Sequence, residues 1–172
     1  IFAGSGSTAG LNRLVGLLDI AGITARGGRA VVVIGPYEHH SNILPWRESG
    51  AVVIEIPEAA TGGPDLPALE AVLADQAGAD LLVGSFSAAS NVTGILTDTD
   101  AVTRILRAHG AVAIWDYGAA APYVPMSMQA GTDAAKDAIV FSPHKFPGGP
   151  GASGVLVVRD AIARRATPTL PG

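Results

Sequence analysis

Ala30-Val31-Val32-Val33-Ile34 is an unbroken apolar run, β-branched from Val31 onward, and Gly35-Pro36 closes it. A half-buried strand alternates apolar and polar residues. This one does not, so both of its faces must be covered, as in a parallel sheet with helices on each side. Working outward, the spacing predicts strands at residues 1–3, 30–35, 51–56, 80–85, 111–116, 138–141 and 154–158. Between them, amphipathic stretches predict helices at 7–20, roughly 41–48, 66–76, 99–109 and 160–165. The third helix carries the expected start signal, Asp65 as cap and Pro67 in the first turn. Alternation of the two kinds of segment predicts a layered α/β domain.

A chain of 172 residues suffices for one well-buried domain. Hydrophobic residues make up 48% and charged residues 15%. No apolar stretch is long enough to span a bilayer, so the surplus apolar area is expected in a core or an interface, with no membrane partner. The net charge of −4 comes without any basic run, which argues against nucleic acid as a partner. With no cysteine there can be no disulfide, thiolate metal site or cysteine nucleophile within these residues. No signal or transit segment is visible, which makes a cytoplasmic location the default expectation. Ile1-Phe2-Ala3 reads as the tail of a strand without an initiator methionine, and 166–172 trail off in Thr, Pro and Gly. The chain is expected to be an excerpt of a longer protein.

Polar clusters fall where such sheets gather ligands, at the carboxyl ends of the strands. Gly4-Ser5-Gly6-Ser7-Thr8 follows the first strand and Glu38-His39-His40-Ser41-Asn42 the second. Residues 87–94 follow the fourth, Asp116 ends the fifth, and Ser142-Pro143-His144-Lys145 follows the sixth. Lys145 is one of two lysines against nine arginines. Lysine, unlike arginine, can lose its proton and attack a carbonyl, so a scarce lysine in a strand-end loop suggests covalent chemistry.

Each candidate has a plainer reading beside it. The Gly4-to-Thr8 turn, with Ser7 and Thr8 hydroxyls at a helix start, suits a phosphate, or is simply a capped turn. Asp116 either caps the following loop or faces a cationic ligand atom. His39 can stack on an aromatic ligand or shuttle a proton, whereas His40 reads as a surface or capping residue. Adjacent histidines diverge, so at most one should face a site, and no partners with metal-ligand spacing accompany them. Asn91 either bonds its own turn or presents its amide to a ligand. His144 either assists proton transfer or donates to backbone, and Lys136 looks solvated.

Taken together in this order, these segments resemble the class V aminotransferase family of fold-type I enzymes that use pyridoxal 5′-phosphate, in particular its cysteine desulfurase and selenocysteine lyase-like branch. The most specific pieces are Glu38-His39-His40-Ser41-Asn42-Ile43-Leu44-Pro45-Trp46 and Phe141-Ser142-Pro143-His144-Lys145, with Asp116 between them. The resemblance implies a three-layer α/β/α domain around a mostly parallel seven-stranded sheet whose last strand is antiparallel. Residues 1–172 would be the large, cofactor-binding domain, without the N-terminal segment and the C-terminal small domain. Lys145 would form the Schiff base with the cofactor aldehyde, Asp116 would pair with the pyridinium nitrogen, and His39 would stack over the ring. Ser7, Thr8, Ser142 and His144 would surround the phosphate, and Asn91 would approach O3′ or the substrate carboxylate. An amino acid is the implied substrate and a homodimer or higher homo-oligomer the implied assembly. In the desulfurase branch the segment after the aspartate usually reads Asp-Gly-Ala-Gln, but here Asp116-Tyr117-Gly118-Ala119 puts alanine in the place of glutamine.

Two functions compete on this reading. One is a pyridoxal-phosphate enzyme domain acting on amino acids as a desulfurase, lyase or aminotransferase. The other is a non-catalytic phosphate-binding or interaction module from a truncated or decayed relative. A nucleotide-binding α/β protein is weaker, because no ribose-binding acidic residue stands in a matching context.

Overall fold

A computed structural model describes residues 1–165. The strands are β1 (Phe2–Gly4), β2 (Ala30–Ile34), β3 (Val52–Glu55), β4 (Leu81–Ser87), β5 (Val112–Asp116), β6 (Ala138–Phe141) and β7 (Gly154–Val158). The helices are α1 (Ser7–Leu17), α2 (Ile20–Ala25), α3 (Leu44–Glu48), α4 (Leu66–Asp75) and α5 (Thr99–Ala108). All seven strands form one sheet in the order β1-β7-β6-β5-β4-β2-β3. From β3 to β6 every pairing is parallel, while β7 runs antiparallel to both β6 and β1. The expected mostly parallel, seven-stranded sheet with an antiparallel last strand is what forms.

The unbroken strand runs are explained by the two layers they feed. Val31, Val33, Leu82, Ala113, Trp115 and Ile139 pack with Leu69 and Leu73 of α4 and Val102 and Leu106 of α5. Their neighbours Val32, Ile34, Leu81, Val83, Ile114 and Val140 pack with Leu11 and Leu14 of α1, Ile23 of α2 and Trp46 of α3. Successive side chains of a strand point to opposite faces, so helices on both faces demand apolar residues at every position. Each valine, leucine or isoleucine among them contributes about 1.5–3 kcal/mol on burial. The two indoles buried in these layers keep their N–H groups satisfied: Trp115 Nε1 donates to Thr103 Oγ1 at 2.9 Å and Trp46 Nε1 to Asn42 Oδ1 at 3.1 Å.

Several expected helices end differently. The helix expected over 7–20 breaks after Leu17, because Asp19 adopts a left-handed φ of 54° and its carboxylate folds over Gly22, where a Cβ would lie 2.2 Å from Oδ2. The one expected over 41–48 is a 3₁₀ turn (His40–Asn42) followed by the short α3, because Asn42 turns inward to buried partners and Pro45 starts α3 afresh. Over 160–165 only a 3₁₀ turn (Asp160–Ile162) forms, after which the Arg164 N–H donates to the Leu17 carbonyl at 2.8 Å. The expected loose tail at 166–172 lies outside the described residues. Lys136 is not solvated: it is 1% exposed, and its Nζ donates to Asp100 Oδ1 on α5 at 2.8 Å. That ion pair ties the long β5–β6 connection to α5.

From β2 the chain goes outward to β3, then crosses back to β4 and continues through β5 and β6 on the other side. The carboxyl ends of β2 and β4 therefore flank a reversal of winding, the place where an open α/β sheet leaves a crevice.

Candidate active site

That crevice is a cavity of about 300 Å³. All eight residues singled out from the sequence line it: Ser7, Thr8, His39, Asn91, Asp116, Ser142, His144 and Lys145. Ser5, Gly6, Ser41, Ser87, Ala89, Gly118 and Ala119 complete its wall. Other depressions on the surface are as large or larger, among them an apolar one of about 420 Å³ between α1 and the β1–β7 edge, but they hold no comparable set of reactive groups.

One wall is the turn from β1 into α1. Gly6 has φ 139°, a conformation open only to glycine, and it caps α1 without any side-chain hydrogen bond. The first turn of α1 thus has no capping side chain from residue 6, at the positive end of an 11-residue helix. The Ser7 N–H donates to Ser142 Oγ at 2.9 Å, and the Ser142 hydroxyl donates to Ser7 Oγ at 3.1 Å. Ser142 Oγ and His144 Cε1 both lie within about 3.6 Å of where a Gly6 Cβ would sit. Behind the turn, Gly154 of β7 admits the Gly6 backbone so closely that a Cβ there would fall 2.2 Å from Gly6 Cα.

The floor is Asp116, 5% exposed at the end of β5. Burial pushes its carboxyl up from the ordinary aspartate range, while the Gly118 N–H at 2.7 Å and the charge of Lys145 pull it down. Gly118 leaves a small open volume at this point. A Cβ built there would meet Asp116 Oδ1 at 2.9 Å, Ser7 Oγ at 3.3 Å and Lys145 Nζ at 3.6 Å. A buried carboxylate, a hydroxyl and a primary amine thus converge on one spot beside a glycine.

His39 stands at the mouth. Its Nδ1 accepts the Ser41 N–H at 3.2 Å and lies 2.8 Å from Ser41 Oγ, an arrangement that assigns the ring proton to Nε2. His40 diverges into a neighbouring depression formed with α1 and α3. Asn91 is exposed, and Ser90 takes over the bonding of its turn by accepting the N–H groups of Val92 and Thr93 at 3.2 and 3.1 Å. The Asn91 amide is therefore not needed to hold its own loop.

Sequence reasoning placed Glu38 and Ser87 in strand-end polar segments but gave neither a role in the site. Glu38 Oε1 accepts the Ser87 N–H at 2.8 Å, and Oε2 accepts from Ser87 Oγ at 2.7 Å and from Asn42 Nδ2 at 2.5 Å. Loss of hydration pushes its carboxyl up to about 7 against the pull of these bonds, and the charge of Asp116 adds to the rise. The signals available in the sequence were its place four residues beyond the end of β2 and its membership of the Glu38-to-Trp46 segment.

The donor set fits pyridoxal 5′-phosphate. It offers an amine for an aldehyde, a buried carboxylate for a ring N–H, an imidazole for a ring face, and an open helix start with hydroxyls for a phosphate.

Comparison with known proteins gives a consistent result. A sequence profile of the family described as Aminotransferase class-V matches residues 1–172. A probable cysteine desulfurase of Streptomyces coelicolor is 32% identical over 145 residues, which are 82% of this chain and 33% of that protein. One from Halalkalibacterium halodurans is 28% identical over 141 residues, 80% of this chain and 33% of that one. The chain thus spans about a third of the length of the curated relatives it matches. Among solved structures, the apo cysteine desulfurase of Thermococcus onnurineus superposes with a TM-score of 0.75 at 27% identity, covering 93% of this chain and 38% of the other.

Proposed function

The chain belongs to the class-V aminotransferase family, and on that premise we propose that it is the large domain of a pyridoxal-phosphate enzyme acting on an amino acid, with Lys145 as the reactive amine. The observation that carries this reading is the convergence of Asp116 Oδ1, Ser7 Oγ and Lys145 Nζ beside Gly118. When bound, the cofactor supplies a pyridinium ring that takes up the electron pair released as a bond to the substrate's Cα or Cβ breaks. Asp116 would hold the proton on the ring nitrogen. A cationic N–H partner returns a carboxyl raised by burial to its ionised form. His39, with its lone pair tied to Ser41, would lay its ring on the cofactor and keep water from that face. Ser7, Thr8, Ser142 and His144 would bind the phosphate at the start of α1. Lys145 Nζ would hold the aldehyde carbon and, once released, take or return the proton at the substrate's Cα. Asn91, free of its own turn, would bind O3′ or the substrate carboxylate, since the Ala119 methyl group can donate no hydrogen bond.

Desulfuration, other lyase chemistry and transamination share these groups, and residues outside this chain would choose among them. An assembly of two or more copies fits the exposed Leu44, Val92, Leu96 and Tyr123. The test is titration with pyridoxal phosphate followed by borohydride reduction and peptide mapping. A saturable absorbance change and an adduct fixed on Lys145 are expected. A reducible adduct that persists in Lys145→Ala would sink the assignment. The second reading, a non-catalytic module, draws on Ala119 at the cavity wall; a cavity that gives no saturable spectral change would favour it.

A further inference from the structure

Glu38 has none of the roles above, yet its carboxylate receives more hydrogen bonds than any other beside the cavity. Its three donors come from two segments: Ser87 N and Ser87 Oγ at the end of β4, and Asn42 Nδ2 in the turn after His39. Asn42 is fully buried and is itself fixed, accepting from Trp46 Nε1 at 3.1 Å and Ser85 Oγ at 2.6 Å. Space for the carboxylate exists because residue 35 is glycine; a Cβ there would lie 2.8 Å from Glu38 Oε1. Ser87 is the register partner of Asp116 on the next strand, and the Ala88 N–H donates to the Asp116 carbonyl at 2.9 Å.

We propose that Glu38 is a positioning residue: when ionised, it locks the His39 loop onto the strand end beside Asp116 and so shapes the cavity for a cationic ring nitrogen at Asp116. The inference rests on the reading of the cavity as a pyridoxal-phosphate site. An ionised carboxylate accepts all three donors. A protonated one must donate from one oxygen, so one of the three partners has to turn. With the carboxyl pushed up to about 7, that exchange falls in the working pH range of most enzymes. The ionisable groups that bear on it are Asp116, from the end of β5, and His39 and Lys145, which act on Asp116 from across the cavity. Tyr37, on the same loop, turns away to Glu58, its hydroxyl donating to Oε1 at 2.5 Å. A cation that neutralises Asp116 makes Glu38 easier to ionise, and by linkage ionised Glu38 favours that cation.

Glu38→Gln tests this, because the amide matches the protonated acid in size, is uncharged, and like it presents a donor on one of its two terminal atoms. Pyridoxal phosphate affinity is measured for both proteins by absorbance from pH 6 to 8. The ionisation of the free cofactor's phosphate is common to both measurements and cancels in the ratio. The ratio of dissociation constants is expected to lie near one at pH 6 and to reach about tenfold at pH 8, the equivalent of one charge-assisted hydrogen bond. A ratio that stays constant with pH would reduce Glu38 to a structural residue and overturn the proposal. A second arm needs no cofactor. Carboxyl ¹³C NMR of the full chain should show Glu38 titrating at lower pH in Asp116→Asn than in the wild type; an unmoved Glu38 titration would overturn the coupling. If the wild type binds no cofactor, the functional reading fails and this second arm alone decides the Glu38 proposal.

Discussion

A carboxyl that keeps its proton to about pH 7 reverses the usual pH dependence of stability. Between the ordinary glutamate range and about 7 the folded state holds a proton that the unfolded chain has released. Stability from this group is full below that window and is lost as pH rises through it, by about 3 kcal/mol. Urea unfolding at pH 5 and pH 8 should therefore show the wild type losing ground to Glu38→Gln; equal losses in the two proteins would count against the raised carboxyl. Gly154 lies behind the turn that opens α1. Its Cβ would strike Gly6, so Gly154→Ala should destabilise by about 1–3 kcal/mol, read as a lower urea midpoint, and weaken inorganic phosphate binding more than Gly27→Ala does. Lys145, Asp116 and His39 were legible because a scarce reactive residue at a strand end stands out against apolar surroundings. Glu38 and Lys136 were not legible in the same way. Lys136 sits between Asp133 and Asp137 and reads as surface, and Glu38 takes two of its bonds from a residue 49 positions away. Burial of that kind belongs to the segment that folds over a residue, not to its neighbours in sequence.

The elements differ in how much their own sequence decides. Strands β2, β4 and β5 follow directly from unbroken apolar runs, and α4 from Asp65, whose carboxylate accepts the Ala68 N–H at 3.0 Å. By contrast, the break between α1 and α2 and the turn before α3 depend on Asp19 and Asn42 side chains finding particular partners. The β5–β6 connection is held to α5 by Lys136 with Asp100, and by Arg107 Nη1 donating to the Ala135 carbonyl at 3.2 Å. Its two ends are unequally exposed, at 1% for Lys136 and 34% for Asp100. Removing Asp100 strands a buried ammonium, whereas removing Lys136 frees a carboxylate that water still reaches. Asp100→Ala is therefore expected to cost about 3–5 kcal/mol and Lys136→Met clearly less, in the same unfolding assay. The reverse order would contradict the pairing. Lys136 also holds the Asp100 carboxyl below its usual range, so acid should loosen this connection as Asp100 takes up a proton.

At the scale of the whole molecule, no helix among the described residues is long and apolar enough to cross a membrane. The surplus apolar area goes first into the two layers of the core. What remains outside includes Val92 at 85% and Tyr123 at 83% exposed, in loops close to the cavity. Sedimentation over a range of concentrations is expected to show self-association that Val92→Glu with Tyr123→Glu weakens; a monomer at every concentration would speak against a homo-oligomer. The edge of the sheet sets an order of events in time. Phe2, Ala3 and Gly4 pair only with Leu156, Val155 and Gly154. A chain emerging from the ribosome has therefore made every strand from β2 to β6 before the partner of β1 exists. Loop closure over nearly the whole chain is slow, so the indoles of Trp46 and Trp115 should be shielded early in refolding, while the Gly6 turn acquires its shape in a later kinetic phase. Protein quality control would meet a nascent chain whose core still lacks Leu156 and whose Gly6 turn is still unformed.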